Sequence, residues 1–474
     1  MADVSILTYE GTEVSLGQAE LGSLRQAIKG ELLLSSDSRY DQARKIWNGL
    51  IDKRPALILA CAGSEDVVVG VRFAERHRLL LSVRGGGHNV AGSSLCDGGM
   101  VIDLSGMRGV HVDRQNATVR ADGGVMLGGL DRATQAHGLA VPVGLVSATG
   151  VAGLTLHGGL GWLARRHGMT IDNLRSARVV TADGQVRTAA PGKDEELLWA
   201  LKGGGGSFGV VTSFEFQAHP VGPHVWLSMP MYPAAKATEA LSFYREFMAS
   251  APDELTGLAI FWQAPSQPPI PERAWGAEVI ILAACYSGPA EHGEQAIRPL
   301  REFDDPLADL SSAIPFLELQ QFLDADYPDG DLYYWKSVYL GELRDEVIAV
   351  LARQAAKRPS ARSSIDVWGL GGAVSRVPAS ATPFARREAQ FLIGIESNWD
   401  EPEESEANIA WARETYTAMQ PFSLGSYLNF PGLGEEGEQL LRGAYGGNFE
   451  RLQAAKKRYD PQNLFRGTLS VRSS

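Results

Sequence analysis

The stretch RGGGHNVAGSS at residues 84–94 places three consecutive glycines directly before an imidazole, His88. Glycine between a strand and a turn lets bare backbone N–H groups come close to a bound anion. Two more clusters follow: LVSATGVAGLTLHGGLGW from residue 145 and GGGGSFG at 203–209. One such cluster is weak evidence, but three in one region point to a dinucleotide. A Rossmann fingerprint would need GxGxxG between a strand and a helix, with an acidic residue about 20 positions later. Here the strand GMVIDLS follows the glycines instead, and no GxxxxGK[ST] loop occurs. A pyrophosphate would therefore lie against loops between strands. Taken alone, His88 reads equally as a residue hydrogen-bonded within its loop. Tyr427 and Asn429 of SYLNF alternate onto one face of an expected strand, and Glu396 of FLIGIESNW shares a face with Gly394. Tyr333, Trp335 and Tyr339 of YYWKSVYL and Trp368 of DVWGLGG either line a pocket or fill a core. Arg376 either anchors an acidic substrate or lies on the surface.

The elements that must position these residues follow from periodicity. Residues 22–54 are expected to be largely helical, with Ile46, Trp47 and Leu50 at helical spacing before Pro55. ALILAC and LLLSV read as buried strands on either side of a helix, SEDVVVGVRFAERH, with Ser64 as its cap. Short strands follow, and RSARVVTADGQVRTA reads as a hairpin turning at Asp183-Gly184. Beyond Pro220–Pro223 the glycine clustering stops. Longer strands (VWLSMPMY, GLAIFWQA, AEVIILAACYS, YYWKSVYL, SSIDVWGLGG, QFLIGIESNW) alternate there with amphipathic helices, the pattern of an antiparallel sheet covered by helices. A last helix stops at Asp460-Pro461. The expected division is 1–54 as a helical segment joining the first domain, 55–220 as that domain, 221–425 as a second domain, and 426–474 as a segment returning to the first.

Composition narrows the function classes. The chain has 474 residues, 44% of them hydrophobic and 21% charged, as in a globular protein of two to three domains. A net charge of -12 argues against a nucleic-acid surface. Three cysteines at wide spacing fit neither a disulfide framework nor a metal site. No apolar run approaches membrane-spanning length, and the acidic N-terminus MADVSILTYEGTEV lacks signal-peptide character. A cytoplasmic monomer or homodimer acting on a small molecule, without nucleic acid or membrane, is expected.

VRGGGHNVAGSS, GLVSATGVAGLTLHGGLGW, IDNL, GGGGSFGVVTSFEF and YLNF…YGGNFERLQAAKKRYDPQNLF together resemble the FAD-linked oxidases of the vanillyl-alcohol oxidase superfamily, in the berberine-bridge-enzyme-like branch. The resemblance runs from about residue 30 to 467. It implies an α+β fold: a two-subdomain PCMH-type FAD-binding domain plus a substrate domain with an antiparallel sheet covered by helices. It further implies FAD bonded through its 8α methyl to His88. Around that histidine it implies cofactor contacts at Arg84, Gly85, Gly86, Gly87, Asn89, Gly92 and Ser93. In the second cluster it implies Val146, Ser147, Thr149, Gly150, Gly153 and Leu154. Gly209 and Val211 follow in the third, and Tyr459 and Asn463 in the tail. Val146 stands where doubly attached relatives carry cysteine, so a single link is expected, and no metal. Leu154 replaces a histidine common in relatives, His157 a glycine, and RGTLSV an asparagine-containing ending. Thr149 would face the flavin edge that meets oxygen, which favours an oxidase. Tyr427 is the first candidate for proton acceptor or substrate positioner, with Asn429 beside it. Relatives carry a base at the position of Gly394, and Glu396 could take that role. The implied reaction moves hydride from an alcohol, phenolic, amine or sugar to FAD, with O2 returning it to the oxidised form and yielding H2O2. An oxygen-inserting or ring-forming tailoring enzyme, a dehydrogenase using another acceptor, and a non-catalytic binding module are the alternatives.

Overall fold

ALILAC folds as strand Leu57–Ala60, and helix Ser64–Arg76 carries the chain to strand Leu81–Arg84. Strand Met100–Asp103 lies between them, parallel to both, and Glu31–Leu33 adds an antiparallel edge. Val67, Val71 and Ala74 recur at helical spacing and bury against Leu57, Leu59 and Ile102 of this sheet. Ser64 is the first helical residue, and the capping position falls on Gly63. The computed structural model describes residues 3–467 and 469–472. Thr468, within the RGTLSV ending, lies outside the described residues.

A second sheet is antiparallel, with five strands in the order 186–189, 174–180, 210–217, 118–122, 110–113. Its first pair is the hairpin expected around Asp183-Gly184. Helices Glu195–Leu201 and Phe449–Tyr459 share its core. The latter stops where expected, and a buried ion pair holds that stop. Lys456 Nζ donates to Asp460 Oδ2 at 2.6 Å and to the carbonyl of Ser207 at 2.9 Å, while Asp460 accepts the N–H groups of Leu464 and Phe465. The tail is thereby fastened to the third glycine cluster.

The third sheet has nine antiparallel strands, with 255–263, 364–369, 391–399 and 332–340 adjacent in that order. Helices Ala237–Ser250, Asp345–Ala355 and Ser405–Met419 cover one face. The other face meets the second glycine segment through Trp162, Met169 and Ile171. Because both faces are covered, all nine residues of Phe391–Trp399 are buried, and the polar alternation of a half-exposed strand is lost. Arg387 and Asp172 fasten this sheet's connections to the glycine segment with two hydrogen bonds, of 2.6 and 2.8 Å.

Three expectations need correction. Residues 22–54 are not mainly helical: helix Gln18–Ala27 gives way to strand Glu31–Leu33, and only Tyr40–Ala43 is helical afterwards. Asn48 explains the irregular stretch that follows. Its buried amide donates to the carbonyls of Val90 and Tyr333 and accepts the N–H of Tyr333 and Leu50, so tertiary bonds replace the helical ones. VWLSMPMY is two strands, His224–Ser228 and Pro230–Pro233, broken where Pro230 has no N–H for a continuous ladder. SYLNF is a turn rather than a strand, with the N–H of Phe430 bonded to the carbonyl of Tyr427. The N-terminal hairpin Val4–Leu7 with Glu13–Leu16 was not anticipated. Among the described residues no helix is long and apolar enough to cross a membrane.

Candidate active site

The first and second glycine clusters touch backbone to backbone. A Cβ on Gly86 would stand 2.5 Å from Gly150 Cα, and one on Gly150 would stand 2.6 Å from Gly86 N, so only glycine permits the crossing. Two residues on, His88 stacks on Trp47 at 3.8 Å between ring centroids, and Trp47 stacks on Tyr333 at 3.7 Å. Trp47 is itself held by its indole N–H to the carbonyl of Tyr327 and by its backbone N–H to the carbonyl of Gly87. The His88 ring is thus fixed in plane. Burial holds its pKa down to about 3, so it is a neutral imidazole at physiological pH, and its Nε2 is buried without a protein partner among the described residues.

One cavity runs from these glycines to the inner face of the nine-stranded sheet, with about 1880 Å³ of open space including its mouth. At its sheet end the antiparallel register places Asp366 opposite Gly394, and Glu396 opposite both Trp335 and Ser364. Asp366 is 5% exposed and Glu396 is 3% exposed. Burial is the main force raising both pKa values, Asp366 to about 7 and Glu396 well above the carboxylate range, and the charge of Asp366 raises Glu396 further. The two titrate as a pair that keeps one proton near neutrality. Tyr327 donates its hydroxyl proton to Glu396 Oε2 at 2.8 Å.

Tyr427 reaches the same cavity from its turn. Its hydroxyl oxygen accepts the N–H of Gly159 at 2.9 Å and the Asn429 amide at 2.8 Å, and Asn429 also donates to the carbonyl of Leu154. Burial pushes the phenol up to about 12, so Tyr427 stays protonated at neutral pH. It is suited to hold a hydrogen bond, while the carboxylate pair is suited to accept a proton.

The predicted site residues divide in two. Gly85, Gly86, Gly87, His88, Asn89 and Ser93 line the cavity, as do Val146, Thr149, Gly150, Gly153, Leu154, Gly209, Val211, Glu396, Tyr427 and Asn429. The rest stand behind it. Arg84 bonds the carbonyl of Ala43, and the carbonyl of Gly92 accepts Lys53 Nζ. The Ser147 N–H donates to Asp324 Oδ1, Tyr459 bonds Asp194, and Asn463 takes a left-handed turn at φ 55°. Arg376 pairs with Asp253 at the surface. Of the aromatic candidates, Trp335 and Trp368 line the cavity. Tyr339, within the sheet, packs edge-on to Tyr427. Sequence reasoning missed Asp366, Tyr327 and Trp47. Asp366 carried a signal, since it lies inside DVWGLGG two residues before Trp368 and so on the same face of the strand. Trp47 and Tyr327 carried none.

Residues 55–190 match the family model described as "FAD binding domain", and residues 426–472 match "Berberine and berberine like". A FAD-linked oxidoreductase of Dictyostelium discoideum is 31% identical over 452 residues, covering 94% of this chain and 95% of the relative. The chain belongs to the berberine-bridge-enzyme-like family of FAD-linked oxidoreductases. The (R)-6-hydroxynicotine oxidase of Paenarthrobacter nicotinovorans is 29% identical over 458 residues, covering 94% of this chain and 97% of its own. The solved structure of Physcomitrella patens BBE-like 1 shares the fold, with a TM-score of 0.86 at 21% identity over 96% of this chain and 99% of that one. The FAD-linked enzyme described here has residues that fit its cofactor. The glycine crossing removes side chains from the cavity wall, the cavity runs on from the glycines to the sheet, and His88 offers a ring nitrogen without a partner among the described residues.

Proposed function

We propose that this FAD-dependent oxidoreductase is an oxidase: it carries FAD on His88 by a single covalent link, oxidises a small organic substrate held against the nine-stranded sheet, and passes the electrons to O2 as H2O2. One observation carries the reading. A single cavity joins the neutral, ring-stacked His88 to the buried carboxylate pair. Bound there, FAD supplies a two-electron hydride acceptor. The protein's part is positional and acid–base. The glycine loops at 85–87, 150–153 and 209 leave backbone to meet the cofactor, and Trp47 holds the imidazole. Val146 offers no thiol for a second link.

On the substrate side, the ionised member of the Asp366–Glu396 pair takes the proton released from a substrate O–H or N–H. Tyr427, oriented by Asn429 and Gly159, donates a hydrogen bond to the reacting heteroatom. The small side chain of Thr149 leaves room beside the cofactor for oxygen. Residues 55–220 with the returning tail 426–474 form the cofactor unit of this reading, and 221–425 form the substrate unit. The family-model matches at 55–190 and 426–472 support that division. The test is a screen of phenolics, secondary alcohols, amines and sugars read by peroxide release. Peroxide in proportion to substrate consumed is expected. A cofactor that is reduced by substrate and stays reduced in air would contradict the oxidase reading.

A further inference from the structure

The sheet end of the cavity holds a buried carboxyl oxygen without a partner among the described residues. Asp366 and Glu396 flank Gly394, where a Cβ would stand 3.4 Å from Asp366 Cβ and 3.4 Å from Glu396 Oε1, so the glycine leaves the space between the two carboxyls open. Asp366 Oδ1 is buried and has no partner among the described residues. Glu396 Oε2 is occupied by the Tyr327 hydroxyl. Arg358, whose charge reaches Asp366, is already paired with Glu278. Around the carboxyls the cavity wall is aromatic: Trp335 with Tyr327 and Phe430 edge-on to it at 5.5 and 5.1 Å, and Trp368 on the neighbouring strand. Two carboxyls sharing one proton carry a single negative charge, and rings beside them attract a cation by their faces.

We propose that the substrate is an amine bound as its cation, with an ammonium N–H donated to Asp366, the aromatic rings around its carbon substituents, and Glu396 retaining the pair's proton. The proposal rests on the reading of this sheet face as the substrate side, and names the class of molecule that it selects. A neutral alcohol or sugar can give a carboxylate there a hydrogen bond but no countercharge, and a buried charge without a countercharge is costly. An ammonium cancels it one for one. Passage of one N–H proton to Asp366 then leaves the free amine and an uncharged carboxyl pair, which restores the nitrogen lone pair before the adjacent C–H bond breaks.

The test is calorimetric binding to the purified holoenzyme under nitrogen. It uses the N-methyl derivatives of benzylamine, phenethylamine and tryptamine against the methyl ethers that replace each nitrogen by oxygen. At least one amine should bind about tenfold or more tightly than its ether. Asp366→Asn should bring the two within about threefold of each other, and Asp366→Ser serves if that variant does not fold. Wild-type enzyme that binds no amine better than its ether overturns the proposal, and so does a preference that survives Asp366→Asn. Peroxide release separates this from the oxidase reading. Amine preference without peroxide contradicts only the oxidase, whereas peroxide from a neutral substrate without amine preference contradicts only the proposal.

Discussion

A carboxyl group taken out of water keeps its proton, and this enzyme places two of them side by side. The sign of the resulting pH dependence follows from that. The pair accepts a proton only when partly ionised, so kcat/KM should rise with pH through the region near 7, by up to about tenfold per pH unit on the acid limb. Steady-state profiles of wild type and Asp366→Asn check this, and the variant should lose the limb and about 10²–10⁴ in the rate of cofactor reduction. Stability runs the other way. Both groups bind protons more tightly folded than unfolded, so stability falls as pH rises from the ordinary carboxylate range through the raised value of Asp366, about 7, and the raised value of Glu396 extends that fall. Asp366→Asn should therefore be more stable than wild type at pH about 8, by on the order of 1 kcal/mol, as read by denaturant unfolding. Tyr427→Phe keeps the ring and removes the hydroxyl. It should lower kcat while leaving the acid limb in place, because the phenol is protonated throughout that range.

At the scale of elements, the strands and long helices were legible in the sequence, and the segments that seat His88 were not. Continuous apolar runs marked the parallel strands Leu57–Ala60 and Met100–Asp103, which are buried on both faces, and turn chemistry and helical spacing marked the hairpin at Asp183-Gly184 and the closing helix. Residues 44–54 carry a helical pattern but spend their hydrogen bonds on Val90 and Tyr333, a tertiary outcome that periodicity does not encode. SYLNF alternates like a strand, yet Tyr427 and Asn429 meet through a turn and a side-chain hydrogen bond. Glu396 looked like an ordinary strand-end glutamate. Only the covering of both sheet faces showed it to be buried. The irregular segment has its own test: Trp47→Ala should lower the fraction of flavin that resists acid release, and Trp47→Phe should retain most of it. At the far end of the fold, Lys456→Met removes the buried ammonium that donates to Asp460 and to the carbonyl of Ser207 and should cost about 3–5 kcal/mol in unfolding free energy.

Across the whole molecule, function depends on two units meeting at one cavity. The glycine loops bring the wall proposed to hold the cofactor, and the nine-stranded sheet brings carboxylates and rings. The Asp172–Arg387 pair, 9% and 3% exposed, closes one seam between them, and the Trp47–His88–Tyr333 stack spans another. The sequence motifs identified the first wall, since glycine and histidine spacing is local. The second wall was only partly visible, because Asp366 and Glu396 become neighbours through strand register. The proposed bond between His88 and the flavin is tested most directly by acid precipitation of the purified enzyme. The pellet should stay yellow for wild type, and His88→Ala should give either no flavin or flavin released entirely into the supernatant. Complete release from the wild-type protein would contradict the account.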